Sequence, residues 1–130
     1  MPEYLRVRNL NKRMKTYKEL IVWQKGIDLV SMIYKITNGF PKEEMFGLTS
    51  QIRRASVAIP SNIAEGFGRN SKGDFKRFLQ ISNGSLFELQ TQLEISKRLQ
   101  FLSDKDYNLL YNLSREVEAI LTGLIQKLKT

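Results

Sequence analysis

Six cations fall within one short stretch of the chain: Arg53, Arg54, Arg69, Lys72, Lys76 and Arg77. Only Glu65 and Asp74 oppose them there, so residues 53–77 carry a net charge of +4. Such side chains offer anion recognition, through guanidinium forks and ammonium groups that meet phosphate or carboxylate oxygens. Among them, Gly68-Arg-Asn-Ser-Lys-Gly73 matches the first six positions of a phosphate loop. The match then fails, because Asp74 stands where the motif requires lysine and no strand pattern precedes it. What survives is local. A glycine-bounded turn entering a helix presents backbone N–H donors beside cations. Two readings stay open: an anion-holding corner, or a plain helix cap with Asp74 at the positive end.

Other chemistry is thinly supplied. The chain has no histidine and no cysteine, which excludes histidine general bases, Ser-His-Asp triads, thiolate nucleophiles and disulfides. Glu65, Glu88, Glu94, Glu116 and Glu118 are scattered along helical patterns with no spacing that pairs them. The sequence assigns no catalytic residue, no metal ligand and no cofactor, and an enzyme is the least supported class. Trp23, Phe67, Phe75, Phe78, Phe87 and Phe101 are aromatic surfaces that can stack on bases. Most sit at apolar seam positions, where core packing explains them. Phe67, between two glycines beside the cations, is the exception.

The elements that must position these residues are helices. Residues 1–15 read as a basic, flexible tail with net charge +4, and Met14 is a candidate native start. The remainder of the chain outside residues 1–15 and 53–77 is electrically balanced, so the overall +8 is confined to two segments. Concentrated positive charge attracts polyanions or acidic protein surfaces. The 130 residues suffice for one domain with its own core. No apolar run is long enough to span a membrane, and the N-terminal residues lack a signal peptide's apolar region. A cytoplasmic protein without membrane contact is expected.

From residue 16 onward the periodicity predicts four helices. The first runs over residues 17–37, with a seam of Leu20, Trp23, Ile27, Val30, Tyr34 and Thr37. A second row, Val22, Gly26, Leu29, Ile33 and Ile36, lies about 100° away. Together they form an apolar face wider than one neighbour needs. Gly39 and Pro41 stop this helix, with Gly39 expected in the left-handed cap. The second helix starts near Lys42, follows Met45, Leu48, Ile52, Ala55 and Ile59, and meets Pro60 in mid-pattern. The apolar spacing continues through the proline, which favours a kinked continuous helix over a stop and restart at Asn62. Gly66 and Gly68 end it. The third helix is capped by Ser71, with Asp74 three residues on, and keeps 4-3 spacing from Phe75 through Leu79, Ser82, Leu86, Leu89 and Leu93 to Ser96. Gly84 within it suggests a tight helix crossing. The fourth, capped by Ser103, uses Leu110, Leu113, Val117, Ile120 and Leu124. Short linkers make this an all-α, antiparallel up-down-up-down four-helix bundle over residues 16–130.

Tyr17-x-x-Leu20-x-Val22-Trp23-Gln24, Phe40-Pro41-x-Glu43, Gly47-Leu48-x-x-Gln51-Ile52-Arg53-Arg54-Ala55, Ile59-Pro60-Ser61-Asn62-Ile63-Ala64-Glu65-Gly66 and Gly84-Ser85-x-x-Glu88-Leu89 combine into a recognisable pattern. In these motifs the chain resembles the four-helix-bundle family of the 23S rRNA intervening-sequence protein, also called S23-like. The resemblance implies a small bacterial cytosolic protein. It also implies kinship with accessory proteins of diversity-generating retroelements, whose bundles form pentameric rings with a basic surface. It brings no catalytic residues, and the Asn62–Gly66 block reads as packing and turn chemistry.

Two functions follow as expectations. The first is a homo-oligomeric RNA- or DNA-binding accessory or scaffold protein, with Arg53, Arg54, Arg69, Lys72, Lys76 and Arg77 as the nucleic-acid-binding residues, RNA the expected ligand and a pentamer implied by the resemblance. The alternative is a protein–protein adaptor that docks an acidic surface of a nucleic-acid-processing partner.

Overall fold

The computed structural model describes residues 16–128. The expected N-terminal tail and the candidate start at Met14 lie outside the described residues. Four helices follow one another: α1, Ile21–Thr37; α2, Leu48–Phe67; α3, Lys72–Arg98; and α4, Asp104–Lys127. They form a four-helix bundle, with no strand among the described residues. Each of α1 and α3 packs on both α2 and α4. Contact positions run in opposite order along successive helices. Gly26 of α1 lies against Pro60 of α2, while Thr37 meets Arg53. Ser82 of α3 meets Ile59, while Phe75 and Phe78 lie on Gly66. Gln90 reaches Ser114 of α4, while Glu94 meets Tyr107.

The seam of α3 is buried along its whole length, from Phe75 to Ser96. In α4 the core takes Leu110, Ser114, Val117, Leu121 and Leu124. Leu113 and Ile120, expected in that seam, flank it half-buried. In α1 the buried row is Val22, Gly26, Leu29, Ile33 and Thr37. The row expected inside, Trp23, Ile27, Val30 and Tyr34, stays at the surface, half-buried or exposed. Both rows are apolar, so periodicity cannot choose between them; the position of α2 does. Gly26 fits there because Pro60 crosses it at van der Waals distance, 3.4 Å from where a Cβ would sit.

Helix ends also differ from expectation in their details. A single 3-10 turn, Tyr17–Glu19, precedes α1, and Leu20 is extended. Lys42–Glu44 form another such turn rather than the start of α2. Met45, expected in the α2 seam, is half exposed as a result. The acids still act on the dipole, since Glu44 Oε1 accepts the Leu48 N–H at 3.1 Å. Gly39 does not adopt the left-handed conformation. Asn70 and Gln100 do, at φ 60 and 64. Gln100 ends α3 in a Schellman arrangement, with Phe101 N–H on Ser96 O at 2.9 Å and Gln100 N–H on Lys97 O at 3.0 Å. Ser71 and Ser103 cap α3 and α4 as expected, each accepting the N–H three residues on at 3.1 Å.

Pro60 lies inside an unbroken α2. Polar side chains support the backbone around it. The Ser82 hydroxyl donates to Ile59 O at 2.9 Å from across the α2–α3 interface. Asn62 Nδ2 donates to Ala58 O at 2.8 Å. One glycine here is sterically required. A Cβ on Gly66 would sit 2.6 Å from Phe78 Cβ and 3.4 Å from Phe75 Cα. Gly84, the expected tight crossing, meets nothing within 4 Å and faces open space.

These two glycines predict opposite outcomes. Gly66→Ala forces α2 from α3 and should cost about 1–3 kcal/mol. Gly84→Ala relieves a mid-helix glycine and should add up to about 1 kcal/mol. Urea denaturation of dilute protein measures both.

Candidate nucleic-acid interface

The six cations do not converge. Arg53 and Arg54 lie in the second turn of α2, whereas Arg69 follows its last residue. At 1.5 Å per residue, an α-helix separates them by about 24 Å along its axis. Arg69, Lys72, Lys76 and Arg77 do come together, around the turn that joins α2 to α3.

Arg53 is structural. Its Nε donates to Thr37 Oγ1 at 2.9 Å, and Nη2 donates to Asn38 Oδ1 at 3.1 Å and Tyr34 O at 3.5 Å. The guanidinium also lies 4.6 Å from the Tyr34 ring centroid. Thr37 is buried and itself donates to Ile33 O at 2.7 Å. A fixed cation thus sits on the exposed carbonyl end of α1, where the dipole favours it. Arg54 is exposed beside a shallow groove lined by Tyr34, Met45, Ser50 and Val57.

At the α2–α3 turn the cations are held over an aromatic ring. The guanidinium carbons of Arg69 and Arg77 lie 5.1 and 4.7 Å from the Phe78 ring centroid. Arg69 pairs with Glu65 at 3.2 Å, and Arg77 approaches Asp74 at 4.0 Å. Both pairs are solvent-exposed and so weak. Lys72 and Lys76 have no acidic partner among the described residues. Phe67 is not a free stacking platform: it packs on the core with its ring edge-on to Phe75 at 6.3 Å. Ser71 and Asp74 form the helix cap. The turn therefore presents side-chain cations around a closed cap, with no histidine, cysteine or carboxylate cluster able to hold a metal among the described residues.

A second polar cluster joins α3 to α4. Tyr107 OH donates to Glu94 Oε1 at 3.0 Å, and Arg98 Nε donates to Glu94 Oε2 at 2.9 Å. The hydrogen bonds from Arg98 and then Tyr107 hold the Glu94 carboxyl below its ordinary value. Burial and then Glu94 push the Tyr107 phenol up. Tyr107 stacks on Tyr111 at 5.6 Å, and Lys97 lies 4.6 Å from its ring centroid. Each group has a partner within the cluster, which ties two helices together and presents no unpaired acid or base for catalysis.

Fold and site together define a small all-α bundle with a cationic end and no assembled catalytic constellation. Residues 18–123 match the family described as 23S rRNA-intervening sequence protein. The chain belongs to that family. It is also similar to a solved structure from Bacteroides thetaiotaomicron, described as a protein of unknown function from the S23 ribosomal protein family. The identity is 25% and the TM-score 0.76, over 82% of this chain and 96% of that one. No curated protein matches the sequence. No helix among the described residues is long and apolar enough to cross a membrane.

The two arginines at the other end separate by experiment. Arg53→Ala leaves the α1 terminus without its clamp and should cost about 1–3 kcal/mol. Arg54→Ala should change stability by less than about 0.5 kcal/mol. The Glu94–Tyr107 bond carries a pH signature. A lowered carboxylate pKa contributes stability present above its unfolded value near 4.5 and lost as pH falls through the folded value. A raised phenol pKa contributes stability present below about 10 and lost as pH rises through the folded value. The difference in urea midpoint between wild type and Tyr107→Phe should therefore be largest near neutrality and narrow at both extremes.

Proposed function

We propose that this chain is a non-enzymatic, cytoplasmic accessory or scaffold protein. In this reading it binds RNA, or secondarily DNA, through the end of the bundle formed by Arg69, Lys72, Lys76 and Arg77. The observation that carries the reading is the placement of charge. Four cations surround one turn, two of them have no acidic partner among the described residues, and two are spread over one aromatic face. The basic segment 1–15 joins the chain at Thr16. That residue caps the 3-10 turn whose Tyr17 shares a groove with Ala64, three residues before the end of α2. Both positive segments of the sequence are thus attached near one end. Guanidinium groups laid over a ring and ammonium groups on flexible stems suit phosphate contacts, which position a polyanion without reading its sequence.

Arg53 has no share in this surface, because its donors are used on α1. Arg54 stands about 22 Å along the helix from Arg69. The reading keeps the protein homo-oligomeric, since the outer row of α1 is left uncovered by its own bundle. An oligomer, a pentamer by the family resemblance, would repeat the cationic end and raise avidity without new contacts. The same resemblance suggests a role beside reverse transcriptases of diversity-generating retroelements. The second reading, an adaptor, uses the same cations on an acidic partner protein. It is favoured by the Glu65 and Asp74 pairs, which show these arginines already engaging carboxylates.

Changing Arg69, Lys72, Lys76 and Arg77 to Glu should abolish binding to structured rRNA while leaving helicity intact. Changing only Lys72 and Lys76 to Gln should flatten the plot of log affinity against log salt by roughly 0.7–0.9 per lost contact. Affinity that is unchanged by the fourfold substitution contradicts the assignment. A partner retained after nuclease treatment favours the adaptor.

A further inference from the structure

The bundle leaves two apolar surfaces uncovered, on different sides. The first lies along α1 and α2, where Trp23, Ile27, Val30 and Tyr34 meet Val57. Ile27, Tyr34 and Val57 are 37, 41 and 39% exposed. The second is the outer face of α3. Viewed down the helix at 100° per residue, Gly84, Thr91 and Ile95 lie in line. Phe87 stands about 60° to one side of Gly84, and Ile81 about 60° to the other. Ile81, Phe87 and Ile95 are 42, 47 and 42% exposed. This stripe points away from the buried seam of the same helix. It centres on a glycine that nothing in its own chain crowds, although a mid-helix glycine costs about 1 kcal/mol. An uncrowded glycine in an apolar stripe lets another backbone approach closely.

The charges on the two surfaces are opposite. Glu88, on the α3 stripe, is exposed and has no partner among the described residues. Arg54, beside the α1–α2 surface, is likewise exposed and unpaired. Described residues 16–80 carry a net charge of +4, whereas residues 81–128 carry −1. Like surfaces would bring like charges together; unlike surfaces bring Arg54 to Glu88.

We infer that the α1–α2 surface of one copy docks on the Gly84 stripe of α3 in a second copy, head to tail. This rests on the homo-oligomeric reading above and deepens it by naming the two faces. Such a contact is heterologous, so each copy keeps one free surface of each kind at the ends of a dimer. Association then continues until a ring closes. A two-fold dimer built on either surface alone is excluded by this pairing.

The test uses two full-length variants, each damaging one face: Ile27→Arg and Gly84→Arg. Both positions are exposed, and circular dichroism confirms that each variant keeps wild-type helicity. Sedimentation velocity should show wild type as an oligomer and each variant alone as a monomer. An equimolar mixture should double the monomer mass and stop there, because each variant retains the face the other has lost. If wild type assembles but Gly84→Arg also assembles like it, the stripe is not the docking face and the pairing is overturned. A mixture that stays monomeric overturns it as well. A wild type that is itself monomeric at high micromolar concentration removes the oligomeric reading, and the pairing with it.

Discussion

The close approach of α2 and α3 is the constraint on which the rest of the molecule depends. Gly66 leaves room for Phe75 and Phe78 to sit directly on the α2 backbone. Higher up, the Ser82 hydroxyl reaches Ile59 O beside a proline that removes one of the helix's own hydrogen bonds. Small or buried residues at 55, 56, 59 and 63 keep that interface narrow between the two points. Because the helices are held this closely near their junction, the connecting turn is short and its conformation is set by Asn70 in the left-handed region. The cations on either side of the turn are placed by that geometry. Phe78 serves twice, as a wall against Gly66 and as the ring beneath Arg69 and Arg77.

Much of this architecture was legible in the sequence. The α3 seam keeps one spacing over many turns and packs in full, because a long helix flanked by two neighbours buries a single continuous stripe. Ser71 and Ser103 cap where their types and the acids behind them indicate. The α1 seam was ambiguous for a physical reason: two apolar rows compete, and only the crossing of Gly26 by Pro60 selects between them. The start of α2 misleads because Glu43 and Glu44 suit a first turn, while Glu44 acts on that helix from outside it.

The site was legible in composition and not in placement. Charge counted along the chain makes residues 53–77 one patch. The rise of an intervening helix divides them into two, and that division follows from the continuous α2 already implied by the apolar spacing. The commitment of Arg53 to Thr37, Tyr34 and Asn38 had no sequence signal, because those partners lie on another helix and its terminus. Gly84 misled in the opposite sense. Its cost in a helix correctly implied a reason to exist, but the reason is not found within its own chain. Structural demands and surface features thus sort by helix: α2 supplies close packing, α1 and α3 carry uncovered apolar rows, and the α2–α3 turn carries charge.

The central claim is that the α2–α3 turn, and not the Arg53–Arg54 end, meets the polyanion. Backbone amide shifts of isotopically labelled protein titrated with structured rRNA test it most directly. The account predicts perturbations concentrated at residues 69–78, with Arg53, Arg54 and the residues around Asn38 unmoved. Perturbations centred on residues 34–54, with the turn silent, would contradict it.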